Sequence, residues 1–200
     1  MAESRRRSSD DDVVLQGPED QRIRIPIVHT PTVCAGAATA YLLRRICFRA
    51  GAYAPGIQEY VFFELSNYGV AGDSIDAVQR WFGSRLSDLQ ELGYRLNARR
   101  VGEPTPTVLD WVKEGRGFRG AILPTNYLKI HPEETSSIDH AVAIAVDRLD
   151  GGTDDELIMV DPWPGPATPE KERLKPPPIL EAAHRDNKFH ALIFYWAGWS

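Results

Sequence analysis

Cysteine is scarce in this chain: Cys34 and Cys47 are the only two among 200 residues. On a single helix they would stand about 20 Å apart along the axis, whereas a disulfide needs Cα atoms within roughly 7 Å. A disulfide-stapled fold is excluded, and free thiols fit a reducing compartment, so the cytoplasm is the expected location. Long apolar runs are missing as well. Nothing approaches the ~20 residues that span a bilayer, and the most apolar stretch, Phe189 to Trp199, reads as a terminal core strand. The N-terminal arginines are followed by no hydrophobic block, so neither a secretory signal nor membrane insertion is expected. An excess of positive charge is lacking too. The 23 basic and 28 acidic residues leave a net charge of −5, which disfavours nucleic acid as a partner. No internal repeat is visible, which argues against a solenoid. His29, Cys34 and His131 or His140 follow no recognised ligand spacing, so no metal or other cofactor is expected.

The composition, 42% hydrophobic and 26% charged, is that of one ordinary globular domain. Residues 1–21 are polar, lack periodicity and are expected to be a disordered tail; residues 22–200 form the domain. Arg22 to Val28 alternates and then meets prolines, as a short edge strand does. From Cys34 to about Arg49 the chain reads as a helix, with Ala38, Leu42 and Ile46 on one stripe and Arg44, Arg45 and Arg49 off it. Residues 57–68 and 74–92 read as two more helices, the second capped by Ser74. A strand follows over Tyr94 to Val101, then a helix entered at Thr105-Pro106 and ended at Gly115. Strands are expected over Gly120 to Tyr127, His140 to Leu149, Glu156 to Asp161 and Lys188 to Trp196. Between the last two, residues 162–178 hold seven prolines and read as an irregular loop. Helices first and a mostly antiparallel sheet afterwards predict an α+β fold with one principal helix, and further helices, packed on the sheet.

Three residues stand where chemistry is easiest to build. Cys34 begins an apolar helix, where unpaired backbone N–H groups and the helix dipole favour a thiolate. Ala35, Gly36 and Ala37 beside it leave room for a substrate backbone. His140 heads one strand and Asp161 ends the next. A tight turn at Asp150-Gly151 would set them directly opposite each other; a longer loop closing Leu149 on Glu156 shifts the register by four residues and keeps both on one face. A carboxylate there fixes the imidazole tautomer and stabilises its charged form. Asp139 is a rival orienter, but adjacent strand residues face opposite ways. An oxyanion would be met by the Cys34 backbone N–H and by a polar side chain upstream, with His29, Thr30 and Thr32 available. Cys47, mid-helix among large side chains, reads as structural.

Taken in order, these segments resemble the papain-like cysteine peptidases, nearest the bacteriocin-leader (double-glycine) processing branch. Ile25 to Ala38 is similar to the family's nucleophile segment, His140-Ala141-Val142-Ala143-Ile144 to its histidine strand, and Val160-Asp161-Pro162-Trp163 to its Asp-Pro-Trp close. The likeness spans about residues 23–165. Two positions depart from it: Ala35-Gly36 replaces the family's Gly-Pro, and His29 stands roughly where the oxyanion glutamine is expected. The resemblance implies a papain-like fold and a bacterial thiol protease. In it Cys34 is nucleophile, His140 base, Asp161 orienter and His29 the oxyanion candidate.

A peptide or protein substrate is expected, cleaved at a peptide or isopeptide bond through a thioester. The same triad serves a glutamine deamidase or acyltransferase effector, and a catalytically weak peptide-binding relative is the remaining alternative. The proline-rich loop is expected to form one cleft wall, with Trp163 shielding His140 and Asp161 from water.

Overall fold

The computed structural model describes residues 12–16, 22–26, 34–52, 60–61, 64–65, 74–130, 132, 139–147, 156–162, 171–173, 180 and 190–198. Strands β1 (Asp12–Gln16) and β2 (Arg22–Pro26) pair antiparallel as a two-stranded sheet, and β2 touches the first helix. Polar composition predicted no structure before residue 22; the apolar Val13-Val14-Leu15, hidden among flanking charges, provides a short strand there.

The main body is α+β. Helix α1 spans Cys34–Arg49, α2 Ile75–Glu91, α3 Thr105–Glu114 and the one-turn α4 Tyr127–Ile130. The strands are β3 (Leu96–Val101), β4 (Arg119–Asn126), β5 (Asp139–Asp147), β6 (Glu156–Val160), β7 (Lys171–Arg173) and β8 (Ala191–Trp196). They form one open antiparallel sheet in the order β3-β8-β4-β5-β6-β7. The closing strand is inserted between β3 and β4 because both its faces are apolar: Leu192 and Phe194 enter one core cluster, Ala191 and Ile193 the other. Strand β7 lies inside the proline-rich stretch expected to be irregular. It occupies the proline-free interval Glu170 to Lys175, and its three charged residues suit a sheet edge. Of the helix expected over 57–68, residues 60, 61, 64 and 65 are helical and the remainder lie outside the described residues.

Helices cover both faces of the sheet. Alternation along β5 separates the two cores: Ala141, Ala143 and Ala145 face α1 and α2, while Val142, Ile144 and Val146 face α3. Ser74 takes the N-cap position of α2 without a side-chain capping hydrogen bond, and α3 is entered at Pro104, one residue before the expected cap. Helix α1 is buried along its length from Cys34 to Phe48, including Arg44 and Arg45, which the apolar stripe had placed off the packed side. Periodicity marks the most apolar face of a helix; it does not reveal that the sheet, α2 and β2 pack against other faces too.

Small residues on both partners let α1 lie close to the sheet. Gly120 of β4 is the tightest point: a Cβ there would stand 2.5 Å from Leu42 Cδ2 and 3.3 Å from the Ile144 carbonyl oxygen. Because Leu42 is itself fully buried, it has nowhere to retreat. Gly120→Ala is expected to destabilise the fold by about 1–3 kcal/mol through overpacking. Urea denaturation reads this directly, and an unchanged midpoint would show that α1 sits less tightly. Among the described residues no helix is long and apolar enough to cross a membrane.

Candidate active site

The first residue of α1 is Cys34, a free and fully buried thiol. Its neighbours Ala35, Gly36 and Ala37 are buried with it, so the helix start is enclosed by small side chains. At this position the backbone N–H has no partner within the helix, as for any residue of a first turn. His140 is the second residue of β5, opposite Thr125 of β4. Asp161 follows the last residue of β6. All three side chains are 0% exposed.

The observed hairpin register lies midway between the two expected. Ala143 pairs with Val160 and Ile144 with Met159, which puts Asp161 two residues out of direct opposition to His140. An offset of two preserves the face, and the side chains meet diagonally: His140 Nε2 lies 2.7 Å from Asp161 Oδ1. A carboxylate is acceptor-only, so Nε2–H donates and the second ring nitrogen, Nδ1, is the one left for the thiol. Cys34 lies near enough to the imidazole to favour its charged form. Strand alternation puts His140 with Val142 and Ile144, on the α3 side, whereas Cys34 belongs to the core under α1. His140 lies at the end of the sheet, beyond the last β5–β6 pair.

These contacts decide the charge on the ring. Burial opposes the imidazolium, but the hydrogen bond to Asp161 and the nearby Asp161 and Cys34 outweigh it and push the His140 pKa up to about 9. The ring is therefore protonated at neutral pH. Cys47, by contrast, has only burial acting on it, which raises its thiol to about 12 and leaves it inert.

The structure thus brings Cys34, His140 and Asp161 together in the order thiol, imidazole, carboxylate. His29 and Trp163 lie outside the described residues, as does most of the proline-rich loop. One buried polar residue at this end of the sheet was missed: Thr125, 0% exposed and directly across from His140. A lone hydroxyl at the end of the apolar run Ala121-Ile122-Leu123-Pro124 was the available signal, but its neighbour on β5 is a long-range pairing. A surface recess of about 440 Å³ lined by Gln90, Gly93, Tyr94, Arg95, Asn97 and Ala197 contains none of these residues. Compared with known proteins, the chain matches no family model and no curated protein.

Proposed function

We propose that this protein is a cysteine peptidase of papain-like fold, hydrolysing a peptide or isopeptide bond through Cys34, His140 and Asp161. The observation that carries the reading is the buried His140–Asp161 hydrogen bond of 2.7 Å, on a ring whose charged form is also favoured by Cys34 at a helix start. A structural core has little use for this arrangement. Replacing a buried ionic cluster with apolar residues is commonly neutral or stabilising. The α1 helix laid on an antiparallel sheet, with base and orienter at the ends of adjacent strands, supports the papain-like assignment.

In the proposed reaction the Cys34 sulfur attacks the carbonyl carbon and the carbonyl π electrons move to oxygen, facing the Cys34 backbone N–H. Collapse breaks the C–N bond as the His140 imidazolium gives its proton to the departing amine. Water then attacks the thioester carbon and surrenders a proton to neutral His140. The C–S bond breaks and returns the electron pair to sulfur. A glutamine deamidase would share every step, with ammonia as the departing amine.

Selective labelling tests the activated thiol. Iodoacetamide at about pH 6 is expected to modify Cys34 and spare Cys47, by peptide mass mapping, because thiolate fraction governs reactivity. Since Cys34 is fully buried, labelling proceeds only as fast as its cover opens, and His140→Ala is expected to abolish the selectivity. Equal and slow labelling of both cysteines would instead identify a peptide-binding domain without efficient chemistry. A Cys34-linked acyl adduct, trapped from candidate peptides and located by mass spectrometry, would establish the enzyme.

A further inference from the structure

Thr125 carries a polar atom that the fold leaves without a protein partner. Its Oγ1 is buried and makes no hydrogen bond, although the residue is 0% exposed. A buried hydroxyl in that state typically costs about 1–3 kcal/mol, and natural interiors keep few of them. Its position gives the cost a purpose. Thr125 is the direct cross-strand partner of His140. Directly opposite residues share a face with Cβ atoms about 4.5–5.5 Å apart. Asp161, from the end of β6, holds one flank of the imidazole, and Thr125, from β4, stands on the other.

We propose that the Thr125 hydroxyl holds the water that resolves the thioester, a role resting on the hydrolase reading above. A buried water needs two to four polar partners. Next to the acyl-enzyme, neutral His140 provides one acceptor, and Thr125 Oγ1 provides a second group that can accept or donate. The water oxygen attacks the thioester carbon while its proton passes to the imidazole. The tetrahedral adduct collapses by breaking the C–S bond, sulfur takes the electron pair, and the acid departs. During acylation the sulfur itself is the nucleophile, so Thr125 has no part in that half of the cycle. The hydroxyl therefore acts on deacylation alone.

The experiment separates the two halves, using the full chain and p-nitrophenyl acetate in a stopped-flow spectrometer. Wild type is expected to release a burst of p-nitrophenolate equivalent to one acetyl group per protein, then a slower steady state. Thr125→Val keeps the shape and removes the hydroxyl. It is expected to keep the burst rate and amplitude while the steady state falls roughly tenfold, the rate equivalent of one lost hydrogen bond. Thr125→Ser is expected to restore the steady state to within about threefold. Thr125→Ala, which adds no bulk, must show the same split as Thr125→Val and serves if the valine variant folds poorly. An unchanged steady state in both hydroxyl-free variants, or a burst rate that falls in proportion, overturns the proposal while leaving the hydrolase intact. Absence of any burst in wild type, or an identical burst in Cys34→Ala, overturns the hydrolase reading and the water site with it.

Discussion

Cys34→Ala is expected to fold like the parent and to lose turnover by at least about 10⁴-fold, together with every covalent adduct. The reasoning is that, among the described residues, no second thiol stands at this site. Cys47 lies thirteen positions further along the same helix, with its thiol held near 12 by burial. Removing one sulfur from among Ala35, Gly36 and Ala37 leaves only a small void, so stability should change by no more than about 1 kcal/mol. Hydrolysis of an identified substrate and intact-mass analysis after p-nitrophenyl acetate are the two readouts. Retained turnover in a folded Cys34→Ala protein would remove the thiol from the mechanism, whatever the geometry around it.

Asp161→Asn is expected to reduce turnover roughly 10²- to 10⁴-fold and to alter how stability responds to pH. In the parent the His140 pKa is raised from 6.5 to about 9. A group raised in the folded state contributes stability that is complete below its unfolded pKa and is lost as pH climbs through the folded value. The parent should therefore weaken between about pH 6.5 and 9, at about 1.4 kcal/mol per unit and about 3 kcal/mol in all. With the carboxylate charge removed, Cys34 alone opposes burial and the folded state holds the extra proton less tightly. The variant should be destabilised most near pH 6, least near pH 9, and show a shallower slope than the parent. Urea midpoints at several pH values measure both curves. Parallel curves would mean that the ring carries no charge dependent on Asp161.

The placement of His140 and Asp161 on one face was legible because strand alternation is local: a shift by two or four residues changes the partner and leaves the face alone. The register itself was not. It depends on how residues 148–155 close the hairpin, and an Asp-Gly-Gly run permits several loops. Arg44 and Arg45 show the same limit on a helix. They sit off the stripe of Ala38, Leu42 and Ile46, as periodicity indicated, yet both are buried because other elements cover that side. Thr125 could be seen as a polar residue in an apolar strand, but its pairing with His140 joins β4 to β5 across residues 127–138 and has no local signature.

Sequence alone determined the chemistry available: two thiols too far apart to bridge, an α+β element order, a cysteine opening an apolar helix, and a histidine and an aspartate at strand ends. Each of these follows from composition or from short-range periodicity, which the chain carries in every window. Tertiary structure alone decided which groups touch. The alanine-rich α1 packs closely on the small residues of β4 and β5, and that packing carries Cys34 to His140. Burial then makes the contacts count, because with water excluded a single carboxylate and a thiol hold a proton on the imidazole against desolvation. The insertion of β8 beside β4 and the orphaned hydroxyl of Thr125 have the same origin. They depend on contacts between segments distant in the chain, and such contacts are selected by the energy of the whole packed molecule.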